Sequence, residues 1–301
     1  MRSSTLKCVV LLSLSPALYG EGAASSDELL EYADSLFAQR DYYRGISVLK
    51  EVAHFAEDPE TKALCVFKIG EAYQRSRKYR SAAGYLERYV AGAHADTLLY
   101  RAQMYLGASW LQLERHHEAV GSFLQAESMA KDGTGQVWAA YSNAERGDFA
   151  TATDLLESVI REREGDALAL GTREILREIA SYRGSRQSAR LASTLSALCP
   201  GLGQLYVRHY YDAAQAFVLV NSFAYMTYAS YRLGDLGEQS HLVTALSAAV
   251  TGMFHYANIL GAGRTAAYRN QRQLDHSLKR IRFLIHNNLG FAPGLGFGFA
   301  L

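Results

Sequence analysis

Between residues 26 and about 164 this chain repeats itself, and that constrains its fold more than any other feature. Aligned on itself, the segment places a small residue at Ala33, Gly70, Gly107 and Ala140, spaced by 37, 37 and 33 residues. Leu36, Tyr73, Trp110 and Asn143 follow, then Tyr42, Tyr79, His116 and Phe149 at an expected bend. A second small residue comes at Gly45, Ala82, Ala119 and Ala152. After it stand Leu49, Leu86, Phe123 and Leu156, and then Val52, Tyr89, Ala126 and Val159, all at constant offsets. Apolar residues at helical spacing on both sides of a bend describe two antiparallel helices per unit. The small residues let the paired helices approach, and the large ones fill the gaps between successive pairs. Each pair leaves an apolar face that only its neighbour can cover, so the units stack into a solenoid. The two longer steps each add about one helical turn, expected in the second helix or the joint after it. A further helix is expected over 166–182 (Ala167, Leu168, Leu170, Ile175, Leu176, Ile179), capping the last pair.

This pattern resembles tetratricopeptide repeats, whose period is about 34 residues, over nearly half of the chain. It departs from them at His116 and Asn143, and only Pro59 supplies the proline usual at unit ends. In that family the first helices line a concave groove that binds peptides or protein segments. Carried over by position, the resemblance implies a groove made by Leu30, Asp34 and Phe37, by Phe67, Glu71 and Gln74, by Arg101, Met104 and Leu111, and by Val137 and Tyr141. The expected groove is mixed and fairly apolar. It lacks the Lys/Asn/Arg set that clamps a carboxylate terminus in some relatives.

Residues 1–24 read as a secretory signal. Arg2 and Lys7 precede an apolar run from Cys8 to Ala17, and Gly20 or Ala24 offers a small residue before a cut. No cysteine stands where a lipid-attachment site belongs, so no N-terminal lipoprotein is expected. Export leaves two cysteines in different expected domains: Cys65 in the repeats, which extend to residue 182, and Cys199 in the segment C-terminal to them.

After a basic stretch, Arg183-Gly184-Ser185-Arg186, read as a flexible joint, the composition changes. Ala213–Tyr231 and Ser240–Gly263 contain no charged residue if the histidines are neutral. Each is long enough to cross a hydrocarbon layer about 30 Å thick, and tyrosines at 206, 210, 211, 225, 228 and 231 suit the interface. Ala248/Gly252 and Ala257/Gly261 suit close helix contact. Leu195 to Tyr206 contains Pro200-Gly201-Leu202-Gly203-Gln204-Leu205-Tyr206, and Tyr256 to Asn270 closes the second run. Together they resemble small two-helix membrane domains of the TM2-like kind. The resemblance implies a helical membrane hairpin over 183–264, with Pro200, Gly201, Gly203, Gln204 and Tyr206 forming the approach to the bilayer. Pro200 and the glycines should break the helix there. Residues 265–301 come next as a basic amphipathic helix with Leu274, Leu278, Ile281 and Ile285 on one face, then a glycine- and phenylalanine-rich tail, either strand or disordered.

Lys+Arg number 31 and Asp+Glu 30, a balance that excludes the concentrated basic footprint of a nucleic-acid binder. No HExxH, CxxC or GxSxG motif is present, and Gly201-x-Gly203 lacks the third glycine and Lys-Ser/Thr of a nucleotide loop. No catalytic residue, metal site or cofactor is expected; His116-His117 reads as a solvated bend. The fold class expected is all-α, a tetratricopeptide-like solenoid followed by a membrane hairpin. The expected function is an exported, membrane-tethered scaffold for a protein or peptide partner at the cell envelope. The alternative makes the hairpin, self-associating through groups such as Asn221 and His255, the working part of an assembly or transport component. The basic flanks, Arg183–Arg208 and Arg264–Arg282, would place themselves in the cytoplasm, against the export that the signal implies. Either the signal prevails and the repeats lie outside, or the flanks rest on anionic head groups.

Overall fold

The structure, a computed structural model, describes residues 25–92, 97–237 and 241–288. The expected signal segment and the glycine-rich tail lie outside them. All regular structure among the described residues is helical: thirteen helices, α1 (Ser26–Ala38) to α13 (His241–Asn288). They divide into two compact units, one ending at Val159 and the other running from Ile160.

The first unit is built from pairs α1/α2 (Tyr42–Phe55), α3 (Pro59–Arg75)/α4 (Tyr79–Val90) and α5 (Thr97–Gln112)/α6 (His116–Ala130). Helix α7 (Thr134–Glu145) follows, and then α8 (Phe149–Glu162), in which the unit ends. Each of α1 to α6 packs on the next in sequence, the nearest-neighbour arrangement of a tetratricopeptide-like solenoid. The repeated positions within the helices are buried, apart from Tyr73, which is half-buried like the bend residues Tyr42, Tyr79, His116 and Phe149. The steric reason for the small residues is direct. A Cβ on Gly70 would stand 2.8 Å from Leu86 Cγ, and one on Gly107 2.8 Å from the Phe123 ring, so in units two and three the space beside the first small residue is filled by the unit's own large apolar partner.

The extra turn of the longer units is in the first helices, not the second. Gly70 and Gly107 lie deep in α3 and α5, of 17 and 16 residues, whereas α1 and α7 have 13 and 12. Measured between small residues, the spacing cannot tell which helix grew.

Every bend has one construction. Arg40, Arg77, Glu114 and Gly147 occupy the same register and the left-handed region, at φ 62°, 61°, 60° and 86°. Arg40 N–H donates to Phe37 O at 3.0 Å and Asp41 N–H to Leu36 O at 2.9 Å, the paired bonds of a Schellman cap. The other three bends repeat both bonds.

The second unit contains α9 (Ala167–Ser185), α10 (Ala189–Leu198), α11 (Leu202–Tyr206), α12 (Tyr210–Asp235) and α13. The helix expected to cap the repeats is thus grouped with the second unit, where α9 packs on α13. The second apolar run and the basic helix are one helix of 48 residues, about 72 Å long. Ile281 and Ile285, on the expected amphipathic face, are buried. The basic stretch is no free joint either: Gln187 N–H donates to Asn270 Oδ1 (2.9 Å), and Asn270 Nδ2 donates to Gln187 O (2.7 Å).

The turn between α11 and α12 reproduces the repeat bend. Arg208 has φ 62°, its N–H donates to Leu205 O at 2.9 Å, and His209 N–H donates to Gln204 O at 2.9 Å. Tyr210 takes the place of Tyr42, Ala213 that of Gly45, and Gly201 that of Ala33. A Cβ on Gly201 would collide with the Ala213 carbonyl, as expected of that small pair.

An L-residue held left-handed costs roughly 1 kcal/mol more than glycine. Arg40→Gly, Arg77→Gly and Glu114→Gly should therefore each raise stability by about 0.5–1 kcal/mol, and Gly147→Ala should lower it by about 1 kcal/mol, read from denaturant midpoints.

Candidate functional site

Two places carry the expected sites: the first helices of the repeats, and the turn at Pro200 with the helices it joins.

On the repeats, most side chains assigned to the groove are packed. Phe67, Gln74, Met104, Leu111, Val137 and Tyr141 are buried. Phe67 lies 5.4 Å from the Tyr89 ring and 6.3 Å from that of Tyr105. Phe37 and Leu30 are half-buried against the first core cluster, Phe37 filling the hole at Gly45. These residues shape the stack rather than face a partner. Helical spacing identifies a shared face but not the depth of that face once the next pair is in place.

The first helices do present a polar strip, made of the expected Asp34, Glu71 and Arg101 with Lys68, Arg75 and Tyr105. Lys68 Nζ donates to both oxygens of Asp34 at 2.7 Å, joining α1 to α3. Glu71 Oε1 accepts from Arg75 (2.7 Å), Arg101 (3.2 Å) and the Tyr105 hydroxyl (2.8 Å), joining α3 to α5. The Arg101 guanidinium also sits over the Phe67 ring at 5.5 Å. Lys68, Arg75 and Tyr105 were missed by sequence reading; their signal was recurrence at one helical turn from Glu71 and Arg101. Farther along, the Tyr141 hydroxyl donates to Glu145, and His116 Nδ1 lies 3.8 Å from Glu145. The His116-His117 bend is therefore partly structured: His117 meets Arg146 at 2.7 Å.

Burial, then the Glu71 charge, pushes the Tyr105 phenol above its ordinary value of 10, and burial with Asp132 does the same at Tyr100. The fold favours both phenols neutral, so their contribution is complete below pH 10 and drains away as pH climbs through that value toward the folded ones. Stability of the full chain should fall on going from pH 9 to 11. Tyr100→Phe and Tyr105→Phe should each flatten that fall, with Tyr105→Phe costing about 1 kcal/mol at neutral pH for its lost bond.

In the second unit the turn at Pro200 is a structural knot. Helix α10 ends at Leu198, and Gly201 takes φ 87°. Ser196 Oγ accepts from Gly203 N–H (3.1 Å) and donates to Gln204 Oε1 (2.9 Å), while Gln204 Nε2 donates to Asn258 Oδ1 (2.8 Å). Gly203 admits no side chain, since a Cβ would run into the Ala192 carbonyl and Ala262. The Tyr206 hydroxyl accepts from Ser188 N–H, and its carbonyl accepts from Gln187 Nε2. The motif thus ties α10, α11 and α13 together. Asn258 and Asn270, the partners that complete it, lie more than fifty residues away in sequence. Gln204→Leu leaves Ser196 and Asn258 short of a partner in a buried site and should cost about 1–3 kcal/mol, measured by thermal unfolding.

Beyond the knot, α12 and α13 form a pair with polar contacts inside and apolar groups outside. Thr227 and Thr251 hydroxyls meet at 2.8 Å and those of Ser230 and Thr244 at 3.1 Å, next to stacked Phe223 and Phe254 rings 4.6 Å apart. Phe217, Val218, Tyr225, Met226 and Tyr228 of α12 are exposed, as are Leu242, Leu246, Met253 and Tyr256 of α13. By length and composition α13 is the described helix apolar enough to cross a membrane. Helix α12, expected to do the same, falls short by that measure because Gln215, Asn221, Ser222 and Thr227 dilute it. Cys65 and Cys199 are free, and burial raises the Cys65 thiol.

No protein-family model matches the chain, and no curated protein matches it either. Among solved structures the chain is similar to "MamA 41-end from Desulfovibrio magneticus RS-1", at 22% identity and a TM-score of 0.41. The match covers 47% of this chain and 78% of that one.

Proposed function

We propose that this chain is a non-enzymatic, membrane-tethered scaffold. Its repeats bind a protein or peptide segment along the first helices, and α12 and α13 anchor it in a bilayer. The observation that carries this reading is the inverted character of the α12/α13 pair. In water, apolar groups pack inward; here two hydroxyl pairs share the seam with the Phe223/Phe254 stack, while many tyrosine, methionine and leucine side chains face out. Exposed apolar surface of that extent marks an interaction with lipid or another protein. Ser/Thr hydrogen bonds between helices are the cohesive element where no hydrophobic drive remains. Asn221 donates one amide hydrogen to the Phe217 carbonyl at 2.7 Å, which meets part of its hydrogen-bonding demand within its own helix.

The repeats lie outside the cytoplasm in this reading, supported by the N-terminal signal pattern, with the polar strip of Asp34, Lys68, Glu71 and Arg101 as the partner-facing surface. A second reading, self-association of the hairpin, is favoured by a 740 Å³ groove along α12 and α13 in which Ala257 and Gly261 are lining residues. The full chain should stay with membranes through alkaline extraction, and its repeats should be cleaved by protease added to intact spheroplasts. Release into the alkaline supernatant would remove the anchor, and protection from protease would remove the export. Crosslinking the extracted chain separates the readings: a heterologous adduct lost in Arg101→Ala fits the scaffold, a homodimer lost in Gly261→Ile the second.

A further inference from the structure

Helices α9 and α13 enclose a cleft of about 610 Å³ that neither the polar strip nor the α12/α13 pair uses. On one wall, at helical spacing, stand Arg269, Arg272, Gln273, His276 and Arg280; on the other are Glu178, Ser181 and Tyr182. The charges do not cancel. Glu178, 14% exposed, is already matched by Arg280 Nε at 3.3 Å and the Ser277 hydroxyl at 2.8 Å. Arg269 spends one bond on the neutral Val207 carbonyl, and Arg272 lies 5.8 Å from the centre of the Tyr268 ring. Two guanidinium groups are thus left without a carboxylate among the lining residues. His209, at the rim, pairs with Asp212 at 3.2 Å. Two guanidinium forks are a donor set that recognises phosphate oxygens.

A second feature narrows the ligand. Gln273 Oε1 is buried and accepts no hydrogen bond among the described residues. A fully ionised phosphate ester offers that oxygen nothing, because its phosphoryl oxygens only accept; a hydroxyl beside the phosphate would donate to it. We infer that this cleft binds a phosphate ester carrying a neighbouring hydroxyl, of the phosphoglycerol class. Two sources share this chemistry: a soluble phosphoglycerol and the head group of an anionic phospholipid. Arg269 follows the last residue of the uncharged stretch, Gly263, by six positions, about 9 Å along the helix. If α13 enters lipid as proposed above, the cleft lies at head-group height, and only the choice of source rests on that reading.

The test uses the full chain in non-ionic detergent at pH 8, titrated calorimetrically with glycerol 3-phosphate, methyl phosphate and glycerol, and then with nanodiscs of phosphatidylglycerol or phosphatidylcholine. Saturable binding of glycerol 3-phosphate or of phosphatidylglycerol, tighter than methyl phosphate or phosphatidylcholine respectively, is the expected result. Binding of the lipid alone assigns the membrane source, and binding of both assigns the shared chemistry. Arg272→Gln should weaken binding about tenfold, the loss of one charge-assisted bond, with an unchanged melting curve. Gln273→Leu should erase the preference over methyl phosphate. Arg264→Gln, an exposed charge outside the cleft, should change nothing. No saturable binding by any probe, or equal losses in Arg264→Gln and Arg272→Gln, overturns the site. Either negative leaves alkaline extraction unaffected, so failure here is distinct from failure of the membrane reading.

Discussion

The close approach of antiparallel helices at paired small residues holds the first unit together, and the rest of that unit adapts to it. Gly70 and Gly107 leave room that Leu86 and Phe123 occupy to within van der Waals contact. Each pair thereby exposes one apolar face of fixed shape to the next. Burying these faces is worth roughly 25 cal/mol for every square ångström removed from water, whereas the polar strip over Asp34, Lys68 and Glu71 is half-exposed and contributes far less. The ion pairs set register between helices; the small-to-large fit supplies the adhesion.

The second unit solves a different problem with some of the same parts. Its α11/α12 turn copies the repeat bend down to the left-handed residue, the two capping bonds and the aromatic that follows. The destination of the side chains is different. Polar groups are drawn into the seams, where Ser196, Gln204 and Asn258 close on one another, and apolar groups are turned outward along α12 and α13. A Schellman bend satisfies its own backbone groups locally, so it is equally serviceable in either setting.

Much of the first unit was legible in the sequence because its constraints are local and repeated: a small residue that fails to fit would fail four times. Depth was not legible. Phe67, Met104 and Tyr141 sit at groove positions by register, yet all three are buried, Phe67 against the rings of Tyr89 and Tyr105 and Tyr141 against that of Trp138. The extra turn of units two and three, expected in the second helix or the joint after it, lies in the first helices, because intervals between small residues do not see helix starts. Helix α9 packs on α13, a partner that its periodicity does not name, because an apolar face at helical spacing serves equally well against any neighbour. The Gln187–Asn270 and Gln204–Asn258 contacts are pairings of single residues far apart in the chain, and no periodicity announces them. The glycine-rich turn was recognised, but the set of helices it ties together was not.

Helix α13 runs unbroken from its lipid-like segment into its basic half, with no proline anywhere along it. Sharp kinks arise at prolines, bulges or inserted groups, so this element behaves as a stiff rod. Force applied to its basic half is passed on as tilt or piston-like travel of the opposite end rather than dissipated at a hinge.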